Sequence, residues 1–147
     1  MVGTEPRGTV TLDKKGYEVI DLVFSRDEIS RLTRGIKILG EIYFAGGAIR
    51  VLPATFKTLE FTDPSRLADL DSMIRRPDDL ILGSAHPQGG NAISEDPKRG
   101  VVDNEFRVHG YDNLYVADAS VFPTNIMVNC QATVMALSRY ASDYVAA

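Results

Sequence analysis

The chain has 147 residues, which is the size of one ordinary domain, and we therefore expect a single domain over residues 1–147. Hydrophobic residues make up 44% and charged residues 24%, so a disordered, collagen-like or coiled-coil chain is excluded. Acidic residues outnumber basic ones by 20 to 16, and the cations form no dense run. Since binding to phosphates needs a basic face, no nucleic-acid partner is expected.

The cysteine and histidine counts and the hydropathy of the chain bear on its disulfides, metal sites and membrane segments. Cys130 is the single cysteine, so no internal disulfide can form and a reducing cytoplasm is the default expectation. Two histidines, His86 and His109, do not make a zinc site with one cysteine, and no metal is expected. The first residues lack the apolar core of a signal peptide, and no stretch approaches the ~18 apolar residues of a membrane span.

A β-hairpin is the first predicted element. Residues 9–12 and 17–24 are rich in strand formers, and a charged turn that ends in Gly16 separates them. A helix follows, because the residues that begin at Ser25 fit a capping box, and Gly46 is its predicted terminator. Gly35 and Gly40 inside it each cost about 1 kcal/mol relative to alanine, which suggests close helix packing or a functional approach of another backbone. Its predicted apolar stripe consists of Ile29, Leu32, Ile36, Leu39 and Tyr43.

The rest of the chain alternates short ordered runs with one long loop. A half-buried strand is predicted over residues 57–61, and Asp63-Pro64 opens a second helix with an inner stripe of Leu67, Leu70 and Ile74. Residues 83–100 contain too many glycines and prolines for a regular element. Strands are predicted at residues 101–102, 106–108 and 113–117, before a last helix that begins near Gln131. Hairpin-like connections without alternating βαβ units predict an α+β fold.

His86 is the conspicuous position for chemistry, since imidazole suits proton transfer near neutral pH and the flanking proline and glycines make a rigid loop. A surface or hydrogen-bonding role is the more frequent one for a lone loop histidine, and His109 is ordinary by the same test. The nucleophile elbow, the phosphate-binding loop and the G-x-G-x-x-G dinucleotide turn are all absent from the sequence. Cys130 lies at a predicted helix start, a position that favours a reactive thiol, but a buried structural cysteine is the preferred interpretation.

Several motifs from His86 onward occur in a recognisable order: HPQGGN at 86–91, GVVD at 100–103, RVHG at 107–110, NLYVADASVFP at 113–123, and Asn129 before TVMAL at 133–137. In this order and spacing they resemble the C-terminal region of the glucose-methanol-choline (GMC) flavin oxidoreductases. RGTVTL at 7–12 and EIYFAGGAIRVLP at 41–53 are similar to the end of the same family's substrate domain. The resemblance covers the whole chain, and more loosely before residue 80.

The resemblance implies oxidation of an alcohol substrate by hydride transfer to FAD. It implies a catalytic pair, His86 and Asn129, with asparagine at the second place as in sterol-oxidase members; the imidazole would accept the hydroxyl proton and the amide would hold the same oxygen. It places Asp118 and Ala119 near the ribityl-phosphate of FAD. It places Asn129, Cys130 and Gln131 at the pyrimidine edge of the flavin ring, where a helix N-terminus stabilises negative charge.

The sequence also differs from the family in its length and in the turn that binds FAD. Family members are several times longer and bind FAD through an N-terminal Rossmann turn that this sequence lacks, so we expect one C-terminal GMC-type domain that is inactive alone and binds FAD weakly. It is then a truncated form, a gene fragment or half of a split enzyme, with a missing N-terminal FAD-binding domain or subunit as partner. Homo-oligomerisation is expected if Val116, Val134 and Leu137 are left exposed. A stand-alone binding domain without redox chemistry is the alternative.

The pairing of His86 with Asn129 has its own alternative. Both side chains must reach one substrate oxygen if they act together, so they should lie side by side. Otherwise His86 caps a loop and Asn129 caps the last helix, with its amide turned onto its own backbone.

Overall fold

The computed structural model describes residues 2–5 and 8–146, so Arg7, in the first motif of the resemblance, lies outside the described residues. They form two compact units: residues 8–83 with Val2, and residues 84–146 with residues 3–5. A two-stranded antiparallel sheet, three α-helices and three short 3-10 turns make up the regular structure of the described residues, which confirms the predicted α+β fold. The single domain over residues 1–147 stays a prediction.

The predicted hairpin is confirmed, but its second strand is shorter than the predicted run of residues 17–24. Strands β1 (Thr9–Leu12) and β2 (Glu18–Asp21) pair antiparallel, with Val10 opposite Ile20. The Asp13 carboxylate accepts the N–H groups of Lys15 (2.8 Å) and Tyr17 (2.9 Å) and so shapes the turn. Gly16 has φ +85°, a conformation that favours glycine, which explains why glycine occupies this position of the turn.

Both strands of the hairpin are exposed along their whole length. Strand alternation puts four large apolar side chains on one face, and each of them is between 63% and 72% exposed: Val10, Leu12, Ile20 and Leu22. We call these four residues the hairpin face. A two-stranded ribbon is marginally stable by itself, so an apolar face of this kind is typical of a surface that another element covers.

Helix α1 (Arg26–Ala45) begins and ends as predicted. The Ser25 hydroxyl accepts the Glu28 N–H (3.2 Å), and the Glu28 carboxylate accepts the Ser25 N–H (2.6 Å), which completes the capping box. At the other end, the Gly46 N–H donates to the Ile42 carbonyl (2.9 Å). Both ends of the helix are therefore fixed by hydrogen bonds between residues no more than four positions apart.

The buried stripe of α1 differs from the predicted one. Ile29 is buried and Leu32 and Ile36 are partly buried, but Leu39 and Tyr43 are 56% and 62% exposed. Gly40 and Phe44 continue the stripe instead, because Leu67 packs directly onto Gly40. A Cβ at Gly40 would lie 2.9 Å from both Leu67 Cδ atoms, whereas a Cβ at Gly35 would meet nothing within 4 Å. Close packing is thus confirmed at Gly40 and wrong at Gly35.

The core of the first unit consists of Ile29, Phe61, Leu67, Leu70, Ile74 and Leu80. Asp63 accepts the Ser65 N–H (2.8 Å) and caps a 3-10 turn, Pro64–Asp69, which leads into the short helix α2 (Leu70–Met73). The predicted cap and inner stripe are confirmed. The strand at residues 57–61 is wrong: only Phe61 pairs, in an isolated bridge to Val51, since no neighbouring strand extends the ladder.

The second unit has its own core, formed by Val102, Phe106, Val121, Phe122, Cys130 and Ala141. Helix α3 (Gln131–Val145) starts where it was predicted to start. The strands predicted at 101–102, 106–108 and 113–117 are wrong and reduce to isolated bridges. Phe106 has φ +66° and Gly110 has φ +82°, and both break the extended backbone that a ladder requires.

Val116, Val134 and Leu137, expected to be exposed, are partly buried against this second core. The apolar surface that argued for self-association is therefore not where the sequence predicted it. Among the described residues, no helix is long and apolar enough to cross a membrane. The same residues hold no group of three or more side chains that could bind a metal ion.

Candidate active site

The loop that carries His86 lies along the segment that follows Asp118. His86 is partly buried, and its backbone N–H donates to the Ser84 hydroxyl (3.1 Å). Gly89 has φ +84°, and its N–H donates to the Ala119 carbonyl at 3.3 Å. Glycine at this place lets the loop turn and pass close to a second piece of backbone.

Further hydrogen bonds join the same two segments. The Asn91 N–H donates to the Ser120 carbonyl (2.9 Å), and the Ile93 N–H donates to the Val121 carbonyl (2.9 Å). The Asn91 side chain adds a bond of its own, from Nδ2 to the Ser120 hydroxyl (2.9 Å). The residues after His86 are therefore fixed against residues 119–121 by both backbone and side-chain bonds.

Gln88 extends this attachment toward Asn129. Its Oε1 accepts the backbone N–H of Ile126 at 3.0 Å, and Ile126 precedes Asn129 by three positions. Sequence reasoning missed Gln88, Asn91 and Ser120, each of which joins the loop to residues distant in sequence. The amide side chains of Gln88 and Asn91, on either side of the Gly89-Gly90 pair, mark these two residues as hydrogen-bonding groups, but no signal in the sequence identifies their partners.

Asp118 precedes a 3-10 turn, Ala119–Val121, and caps it. Its carboxylate accepts the Ser120 hydroxyl (2.5 Å) and the Ser120 N–H (2.8 Å). These two hydrogen bonds hold the pKa of Asp118 below its usual value, and the bond from the Ser120 hydroxyl has the larger effect. A carboxylate that is ionised at neutral pH thus lies one residue from Ala119, to which the histidine loop is bonded.

Asn129 lies just before α3 and is exposed. Its Oδ1 accepts the Gln131 N–H (3.0 Å), which is the local bond that the capping alternative predicts. Its Nδ2 makes no hydrogen bond to another of the described residues, so the donor side of the amide is available. Among residues 8–146 no hydrogen bond joins the imidazole of His86 to this amide, and their pairing through a substrate oxygen stays a prediction.

Cys130 and His109 both have structural roles. The Cys130 side chain is 8% exposed and belongs to the second core, which agrees with a buried structural cysteine. Any contact of Cys130 with a cofactor would therefore come from its backbone. His109 Nε2 lies 2.9 Å from the Ser94 carbonyl, which can only accept, so this nitrogen carries the proton and ties two loops together.

Comparisons with known proteins identify the family of the chain. A sequence model of the GMC oxidoreductase family matches residues 4–138. An uncharacterised GMC-type oxidoreductase of Mycobacterium tuberculosis (strain ATCC 25618 / H37Rv) is 32% identical over 150 residues, which cover 100% of this chain and 23% of that protein. A cholesterol oxidase of Acinetobacter baumannii is 47% identical over 64 residues, or 44% of this chain and 12% of that protein.

Among solved structures, pyridoxine 4-oxidase from Mesorbium loti superposes with a TM-score of 0.65 at 24% identity, over 97% of this chain and 28% of that one. At this identity the likeness shows the fold. The chain belongs to the GMC oxidoreductase family and matches the C-terminal domain of its members. It spans about a quarter of the length of the relative that it matches from end to end.

Proposed function

We propose that this chain is the C-terminal part of an FAD-dependent oxidoreductase that oxidises an alcohol CH–OH group. The observation that supports this most is the fastening of the His86 loop to residues 119–126, the segment that leads to Asn129. Membership of the GMC family supports it as well. Activity, substrate and cofactor of the intact protein are part of this proposal.

The described residues include groups that suit the ring end of FAD. At the start of α3, Cys130 supplies no side-chain cap, and the N–H groups of Ala132 and Thr133 have no partner within the helix. These donors suit the pyrimidine edge of the ring, since a helix N-terminus stabilises negative charge. Asp118 keeps its second carboxylate oxygen for a ribityl hydroxyl. When bound, FAD supplies the acceptor for the hydride that leaves the carbinol carbon.

The pyrophosphate end of FAD has no such match. The sequence contains no G-x-G-x-x-G turn that could hold it. We therefore propose that the missing N-terminal FAD-binding domain or subunit holds this end, and that the chain alone binds FAD weakly and is inactive.

His86 and Asn129 divide the work on the substrate oxygen. The imidazole of His86 accepts the proton of the substrate hydroxyl. His86 lies on a loop whose mobility is limited by hydrogen bonds to residues 119–126. The free Nδ2 of Asn129 donates to the same oxygen as negative charge develops on it, while its Oδ1 stays bonded to the Gln131 N–H. Anchoring the oxygen of Asn129 fixes the direction in which its N–H groups point.

Self-association belongs to the proposal, but through a different surface. The hairpin face is exposed, and in the longer relatives most of the polypeptide lies outside the matched part. In the chain by itself we propose that a second copy covers this face. On this face β1 carries no charge and β2 carries Glu18, opposite Leu12, so two copies meet with least repulsion when their Glu18 side chains lie apart.

The test joins this chain to the FAD-binding part of a GMC oxidoreductase and assays flavin absorbance and turnover on a panel of primary, secondary and sterol alcohols. The proposal predicts a yellow protein in which alcohol reduces the flavin. A protein that retains flavin but is reduced by none of the alcohols contradicts the alcohol activity. If the chain instead folds, binds other ligands and never takes part in flavin reduction, the stand-alone binding domain is supported.

A further inference from the structure

Gln88 makes the long-range side-chain bond of the histidine loop that reaches nearest to Asn129. Its Oε1 is 3.0 Å from the Ile126 backbone nitrogen, 38 residues away in sequence, and the bond is partly buried. Gln88 lies two positions after His86, and Ile126 lies three positions before Asn129. The Gln88 side chain thus connects the loop of His86 to the segment that precedes Asn129.

The backbone bonds of the loop do not do this. They end at Ala119, Ser120 and Val121, eight or more positions before Asn129. The intervening residues form neither helix nor strand, and Met127 among them has φ +53°, an unfavourable conformation for a residue with a side chain. The Asn125 side chain attaches this stretch to the Thr4 carbonyl (2.8 Å), which does not involve the histidine loop.

We propose that Gln88 is a positioning residue for the catalytic pair. By holding the Ile126 N–H, its amide oxygen sets the separation between the His86 imidazole and the Asn129 amide. The inference rests on the proposed function, since it concerns the geometry of that same site. It assigns no contact between Gln88 and the substrate, and the requirement is for a hydrogen-bond acceptor at the end of a side chain of this length.

Two variants separate the acceptor from the size of the side chain. Gln88→Met keeps the length and removes the acceptor, whereas Gln88→Glu keeps both. In the chain by itself, hydrogen exchange at the Ile126 N–H should be faster in Gln88→Met than in the parent and should stay slow in Gln88→Glu. Equal exchange at Ile126 in the parent and in Gln88→Met overturns the inference without any reference to activity.

In the flavin-loaded protein that contains this chain, Gln88→Met should lower kcat by roughly tenfold to a hundredfold, because a misplacement of about 1 Å in a catalytic group has an effect of that order. KM should change less than about threefold, since substrate binding does not use Gln88. Gln88→Glu should retain most of the parent kcat. A kcat for Gln88→Met equal to that of Gln88→Glu overturns the inference.

His86→Ala, measured in parallel, keeps the two failures apart. If His86→Ala is strongly impaired and Gln88→Met is not, the positioning role alone is wrong. If His86→Ala retains its turnover, the proposed function fails, and the positioning role fails with it.

Discussion

Two glycines of α1 provide a matched pair for testing how the first unit is packed. Gly40 is buried, and a Cβ added there would lie 2.9 Å from both Leu67 Cδ atoms. Leu67 is itself 2% exposed, so it cannot move aside without displacing its neighbours. A Cβ at Gly35, five positions earlier in the same helix, would meet nothing within 4 Å. The two substitutions by alanine are chemically identical and differ only in their surroundings.

The expected effects have opposite signs. Alanine is favoured over glycine inside a helix by about 1 kcal/mol, so Gly35→Ala should raise the free energy of unfolding by ~0.5–1 kcal/mol. Gly40→Ala has the same gain but must displace a buried leucine, and overpacking of a core typically costs about 1–3 kcal/mol. The propensity term cancels between the two variants, so Gly40→Ala should be less stable than Gly35→Ala by ~1–3 kcal/mol.

Urea unfolding followed by circular dichroism measures both variants under identical conditions. A second substitution, Leu67→Ala, removes the obstructing side chain, so the penalty of Gly40→Ala should shrink in that background. If Gly40→Ala stabilises the chain as much as Gly35→Ala does, Leu67 does not obstruct a side chain at position 40.

Two further predictions concern Asp118 and the hairpin face. Ser120→Ala removes the hydroxyl that contributes most to the lowered pKa of Asp118, so carbon NMR should find that pKa nearer its usual value of about 3.9. Because the folded pKa is lowered, the stabilisation it brings is present above that usual value and lost as the pH falls through the folded pKa; an unchanged pKa in Ser120→Ala speaks against the assigned cause. Val10→Lys places a charge on the hairpin face and should weaken self-association in sedimentation experiments, whereas Thr11→Lys, on the opposite face of β1, should not. Identical sedimentation of the two variants argues against association through this face.

Features of the fold that depend on neighbouring residues could be predicted from the sequence. The capping box at Ser25 and the cap at Asp63 each involve residues within three positions, and both lie where they were expected. The stripe of α1 was predicted wrongly because periodicity alone permits two overlapping apolar sets. Leu67, a residue distant in sequence, selects the set that includes Gly40.

The same distinction applies to the strands and the site. Short β-rich runs predict strands, but a strand exists only if a partner lies beside it, and the left-handed backbone at Phe106 prevents one from extending. The loop of His86 and its glycines were visible in the sequence. The bonds of Gln88 to Ile126 and of Asn91 to Ser120 span 38 and 29 positions, and no local pattern reveals such pairs.

The rate at which an alcohol reduces the bound flavin in a single turnover shows directly whether His86 accepts the hydroxyl proton. The flavin-loaded protein that contains this chain is mixed rapidly with excess alcohol, in the parent form and as His86→Ala, with His109→Gln as the control because it keeps a donor for the Ser94 carbonyl. We expect His86→Ala to slow flavin reduction by roughly 10²–10⁴-fold, the effect of removing a positioned general base, and His109→Gln to leave it unchanged. A decrease of less than about threefold in His86→Ala, far below that range, would show that His86 is not the base.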